Sequence, residues 1–217
     1  MGINWTRFSS LLEKLLEFKT STTKVPIKDI SWEELIWATL AFLFNEQNVE
    51  WDPQSHSKSV DIVARVDRQD VRISAKAGIL ERDIINISSY RLTTFSTIND
   101  MLNFIAEQHA NFDYYLICAR EEMSDGMRYS VFKISSSRLA PPWLVTPANW
   151  VETTSGYQLK DGFGFKAKIV LKMSNQLWYT IPKSYFTAEE GILSDFFIPY
   201  DELGRGMIKF LEENFSK

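Results

Sequence analysis

Asp61 sits in the apolar run Val60-Asp61-Ile62-Val63-Ala64, and thirteen residues further on Ser74 opens the triplet Ser74-Ala75-Lys76. Between them, Val66-Asp67-Arg68-Gln69-Asp70 is a polar stretch suited to the turn of an antiparallel hairpin. Side chains alternate faces along a strand, so Ser74 and Lys76 share one face and Asp61 on the preceding strand can point at the same patch. A carboxylate beside an ammonium can hold a divalent cation and orient an attacking water, which are the needs of phosphodiester hydrolysis. The plainer alternative is a strand-start acid and an edge-strand lysine that discourages aggregation.

The elements that must position these groups begin with a helix. Ser31-Trp32-Glu33-Glu34 precedes Leu35 to Phe44, a segment apolar nearly all round, which implies burial. Ser31 and Glu34 have the spacing of a capping box, leaving Glu33 on the stripe of Ile36, Trp37, Leu40 and Phe44. A carboxylate on a buried stripe is costly unless it is paired or binds a metal. Alternatively it only favours the positive end of the helix dipole.

An aromatic-Glu pair on a first helix, a polar loop, V-D-I-V-A and then S-x-K resembles the PD-(D/E)xK nuclease superfamily. Within it, the likeness is to Mrr-like and type II restriction endonucleases and to archaeal junction resolvases. Trp32-Glu33 stands where the family carries F-E, Ser55-His56-Ser57-Lys58-Ser59 matches its Gly- and Ser-rich loop, and Asp61 matches its first acid. Val60 replaces the proline and Ser74 replaces the second acid. Some restriction enzymes of the superfamily also carry S-x-K and recruit a glutamate from a helix, for which Glu33 is the natural substitute here and Glu81 the other choice. The resemblance covers residues 31 to 78. It implies an α/β fold with a central mixed sheet flanked by helices, and a Mg²⁺-dependent hydrolysis leaving a 5′-phosphate. Its implied site is Glu33, Asp61, Ser74 and Lys76, with the cation held by Asp61, Glu33 and the Ala75 carbonyl. A homodimer cutting a short symmetric site in double-stranded DNA, in a prokaryotic cytoplasm, would follow.

Candidate DNA contacts lie on both sides of this set. Lys58 belongs to the loop before Asp61, and Ser89, Tyr90 and Arg91 follow the S-x-K strand, where hydroxyls and a guanidinium could clamp a phosphate. From Trp150 to Tyr185 the basic residues are Lys160, Lys166, Lys168, Lys172 and Lys183, against Glu152 and Asp161. Asn175 and Gln176 in that segment could read adenine edges, with Lys166, Lys168 and Lys172 on guanines or phosphates. The same segment equally reads as an ordinary antiparallel meander, turning at Ser174-Asn175, with lysines on its wet face.

Composition bounds these readings. The 217 residues are 45% hydrophobic and 14% aromatic, enough for a sizeable core. No membrane-spanning or signal pattern appears, so a soluble intracellular chain is expected. The single cysteine, Cys118, excludes an internal disulfide and a cysteine zinc site, and reads as a buried strand residue. His56 is a loop residue, and His109 is placed late in a helix at 97–111 where a positive ring suits the dipole. With 24 basic and 28 acidic residues, net charge −4, the chain lacks the footprint of a nonspecific DNA binder.

The organisation expected is an amphipathic helix over 4–19, the two catalytic strands broken at Gly78, strand or loop over 83–95, a helix near 96–110, and strands at 113–119 and 127–134. Pro141-Pro142 and Pro147 mark a boundary between a core of residues 1–140 and an added β-rich recognition segment, 141–217, in the same compact domain. That segment ends in a closing helix with Leu203, Met207, Phe210 and Leu211 inward.

Overall fold

The computed structural model of the chain describes residues 2–52, 59–172, 175–187 and 189–215. His56, Lys58 and Ser174 fall outside them. In chain order the main elements are helices α1 (Trp5–Ser21) and α2 (Asp29–Phe44), then strands β1 (Val49–Trp51), β2 (Ile62–Val66), β3 (Gln69–Glu81) and β4 (Ile84–Arg91). After them come α3 (Ile98–His109), β5 (Tyr114–Glu122), β6 (Gly126–Ser135) and the single turn α4 (Ser136–Leu139). The last group is β7 (Trp150–Thr153), β8 (Gly156–Leu159), β9 (Lys166–Val170), β10 (Gln176–Pro182), β11 (Gly191–Pro199) and α5 (Arg205–Phe215).

Among the described residues the strands form one mixed sheet in the order β11-β6-β5-β3-β4-β10-β9-β8-β7, with β2 on β3 and β1 on β2. The fold is thus α/β with a mixed sheet flanked by helices. Only β3 and β5 run parallel, joined by the α3 crossover. Both faces of the sheet are buried at its centre. Leu116 and Cys118 of β5 pack with Phe8, Leu12, Trp32, Ile36 and Ile73 on the face covered by α1 and α2. Tyr115, Ile117 and Ala119 pack with Met101, Leu102 and Ile105 of α3 on the other. That double burial is why residues 115–119 read as one unbroken apolar run. The strands after Pro141 extend this same sheet, β10 pairing with β4.

Two hairpins set the registers. Asp67 and Arg68 turn β2 into β3, and Arg82 and Asp83 turn β3 into β4, all four at positive φ, as a two-residue type I′ turn requires. Gly78 therefore does not end β3. It allows a close approach: a Cβ there would lie 2.8 Å from Ile87 Cγ2 and 3.1 Å from the Asn86 carbonyl.

Three other expectations are corrected. Helix α2 begins at Asp29, so Ser31 lies inside it and the capping box does not form. Glu34 instead pairs with Lys19 at 3.2 Å, while Trp32 is buried edge-on against Tyr129. His109 is buried, not a charged surface ring, because Tyr90, Phe112, Tyr115 and Tyr179 enclose it. Leu203 is buried as expected, but Met207, Phe210 and Leu211 of α5 are about half exposed, at 48, 59 and 56%. Among the described residues no helix is long and apolar enough to cross a membrane.

Candidate functional site

The site lies at a break in one edge of β3. On that edge β2 pairs with residues 69–73 and β4 with residues 78–81, while β5 pairs along the opposite edge from Ile73 to Ile79. Among the described residues, Ser74 to Ala77 have no strand partner on the β2–β4 side. Asp61, just before β2, fills the break. Its N–H donates to the Ile73 carbonyl at 3.0 Å, and its carboxylate takes over where the ladder stops. Asp61 Oδ2 accepts from the Ala75 N–H at 2.8 Å, from Ser74 Oγ at 3.1 Å and from Lys76 Nζ at 3.3 Å.

These three donors fix the carboxylate. A residue's N–H and C=O project to the same strand edge, so the Ala75 carbonyl also opens on the break. Ser74 is fully buried and acts as a donor that positions Asp61, not as an oxygen open to a ligand. The Asp61 and Lys76 side chains are only 15% and 20% exposed, so their ion pair is screened far less than one at the surface.

Glu33 reaches the same break from α2, on the opposite face of the sheet from α3. Its Oε2 accepts from Trp51 Nε1 at 3.1 Å. Burial pushes its pKa above the ordinary carboxylate value. The Trp51 hydrogen bond opposes the rise, the Asp61 carboxylate adds to it and Lys76 counters it. Two carboxylates thus line one opening together with the Lys76 ammonium, which pairs with Asp61.

The opening is a cleft of about 600 Å³ lined by residues from both faces of the sheet: Asp29, Ile30 and Glu33 from α2, Phe104 and Gln108 from α3. Asp61, Ala75, Lys76, Ser88, Ser89, Tyr90, Arg91 and Gln176 complete much of its wall. Of the expected DNA contacts, Ser89, Tyr90, Arg91 and Gln176 therefore stand at the cleft. Tyr90 does so with 8% exposure, its hydroxyl accepting from Tyr115 at 3.2 Å. Ser89 also meets the Tyr115 hydroxyl at 3.2 Å. These two residues hold the wall, and Arg91, exposed at its rim, carries the charge.

Lys166, Lys168 and Lys172 are exposed and lie outside the cleft lining. Register nevertheless ties Lys168 to it and sets Lys166 in the neighbouring row. Residues directly opposite in neighbouring strands share a face. Ser88 pairs with Trp178 and Trp178 with Lys168, while Asn86 pairs with Thr180 and Thr180 with Lys166. The row Ser88-Trp178-Lys168 thus runs outward from the cleft wall, and the row Asn86-Thr180-Lys166 lies beside it outside the cleft lining, both on the face that α3 does not cover. Asn175, with φ 41°, serves the turn, its carbonyl accepting from the Leu92 N–H. Lys160 and Lys183 are tied to the Ala148 carbonyl and to Asp83. Glu81 lies at the far end of β3, away from this cleft lining. Gln108 has no local signal in the sequence, and only the packing of α3 brings it to the cleft.

Whether the residues fit a hard cation can be judged from the donor set. Among the described residues no group of three or more His, Cys, Asp or Glu side chains converges as a metal site. What the break offers is Asp61, Glu33 and the Ala75 carbonyl. Asp61 Oδ1 has no hydrogen bond among the described residues, all three donors being on Oδ2. One or two carboxylates with water in the remaining positions is how Mg²⁺ is ordinarily held, so the set fits that ion. No family model, curated protein or solved structure matches the chain.

Proposed function

We propose that the chain is a Mg²⁺-dependent endonuclease acting on double-stranded DNA, of the type II restriction kind within the PD-(D/E)xK superfamily. The observation that carries the reading is the Asp61 carboxylate held by Ser74, Ala75 and Lys76 in the break of β3. A purely structural acid–lysine pair does not need an unpaired strand edge, a second half-buried carboxylate and a cleft beside it.

In this reading Asp61 Oδ1, the Glu33 carboxylate and the Ala75 carbonyl would hold the cation. When bound, it supplies charge neutralisation at the scissile phosphate and lowers the pKa of a coordinated water. Ser74 and the Ala75 N–H keep Asp61 from rotating. Lys76 orients the attacking water and offsets the charge developing on the phosphate. Arg91 contacts a neighbouring phosphate, and the Trp178 and lysine rows lie along the duplex.

The test is digestion of supercoiled plasmid with Mg²⁺, comparing the wild type with Asp61→Ala and Lys76→Ala. We expect discrete fragments from the wild type and a loss of at least about 10³-fold in both variants, with unchanged circular dichroism. Cutting confined to cruciform DNA would point to a structure-specific nuclease. Binding without cutting would point to an inactive nuclease-like DNA-binding module, and undiminished cutting by Asp61→Ala ends the proposal.

A further inference from the structure

Helix α5 has almost nothing packed on it. Gly206 is its close contact with the body, a Cβ there lying 2.8 Å from Ser21 Oγ of α1. Met207, Ile208, Phe210 and Leu211 are 47 to 59% exposed. An isolated helix of this length is marginal in water, and helices of globular proteins persist by burying an apolar face. At about 100° per residue, Met207, Leu211 and Ile208 fall within one arc of roughly 100°, turned away from Gly206 and hence from α1. Lys209 lies on the back of the helix and pairs with Glu202 at 3.8 Å, which leaves the stripe itself uncharged.

The flank of that stripe carries a pattern that names its occupant. Arg205 and Glu212 are seven residues apart, so they stand on the same side of the stripe one heptad from each other. Among the described residues neither side chain has an ion-pair partner. When two identical helices pack antiparallel, like flanks meet. A two-fold axis beside Ile208 then sets Arg205 of each copy against Glu212 of the other, twice, with Met207, Ile208 and Leu211 between. A parallel pair brings together opposite flanks and makes neither contact.

We propose that α5 is a self-association surface, an antiparallel helix pair between two copies of this chain. A pair of helices this short covers less than the roughly 800 Å² per partner of a standard interface, so the dimer is weak, with a dissociation constant on the order of micromolar. The inference does not depend on the nuclease reading.

Sedimentation equilibrium of the full chain, from about 1 to about 100 μM, should show the mass rising from 25.2 kDa toward twice that value. Leu211→Asp should hold it at the monomer. Arg205→Glu and Glu212→Arg, each placing like charges face to face, should each raise the dissociation constant at least tenfold. An equimolar mixture of these two variants should dimerise as the wild type does. In the mixed pair the introduced acid of one copy faces the introduced base of the other, and the native Arg205 and Glu212 that remain face each other likewise. All of these substitutions sit on exposed side chains, and circular dichroism checks that the fold is kept. A wild type that stays monomeric at the highest concentration overturns the proposal. So does a dimer indifferent to Leu211→Asp, or a charge-swapped mixture that stays dissociated.

Discussion

Glu33 is where charge and position conflict most. Burial first, and the Asp61 carboxylate after it, raise its pKa, and Trp51 and Lys76 only partly offset them. An acid whose folded pKa exceeds its unfolded value loses stability as pH rises from the ordinary carboxylate range through the raised value. Glu33→Gln removes that loss and still accepts from Trp51. In chelator, therefore, the variant should melt higher than wild type at pH 7 and at the same temperature near pH 4, whereas with Mg²⁺ present the proposed cleavage should be slower than that of the wild type. Thermal melts across pH 4 to 8 check the sign. His109 works in the other direction. Burial depresses its pKa to about 3, with a Ser136 backbone contact opposing and Lys76 assisting. Its neutral ring accordingly stabilises the fold fully above pH 6.5, and that stability drains as pH falls toward 3, by at most about 1.4 kcal/mol per pH unit. His109→Gln should flatten the acid limb of a stability–pH curve measured by urea unfolding. Asp61, Ser74 and Lys76 can be read from alternation along two strands, since each lies within reach of a local pattern. His109 and Tyr90 cannot. Their surroundings come from Tyr115 and Tyr179, on strands that local sequence does not place beside them.

Strands β3 and β4 show how the elements shape the cleft. β3 changes partner from β2 to β4 along one edge, and three of the four residues between the two pairings, Ser74, Ala75 and Lys76, hold Asp61. Gly78 permits the second pairing by admitting Ile87 and Asn86 at close range. Gly78→Val should destabilise the protein by about 1–3 kcal/mol through overpacking, read as a lower midpoint in urea. The two type I′ turns are visible as polar interruptions. The continuation of β3 through Gly78 is not, because a glycine that breaks a strand and one that lets another strand approach look alike in one sequence. The start of α2 is likewise hidden. Ser31 offers a good cap, but burying Trp32 on Tyr129 extends the helix back to Asp29.

At the scale of the whole molecule, a net charge of −4 means that the proposed contact with DNA would have to rest on how the basic residues are arranged. Lys166 and Lys168 stand in two neighbouring rows on the face shared with Ser88 and Trp178. Replacing both with Ala should weaken binding across all sequences and lower the slope of log affinity against log salt by about 2, measured by fluorescence anisotropy. Composition sets the scale of the core. That the segment after Pro141 continues the sheet past β4 emerges only from the β10 register.

The first helix leans on the last strand. α1 packs along β11, and Ser9 Oγ donates to the Leu193 carbonyl. While a ribosome is still making the chain, the buried side of α1 (Phe8, Leu12, Leu16) lacks part of its cover until residue 199 has left the exit tunnel. The helical cover of the sheet can be completed only after β11 has been translated. If the chain is the nuclease proposed above, a copy made only as far as β10 would therefore be unarmed.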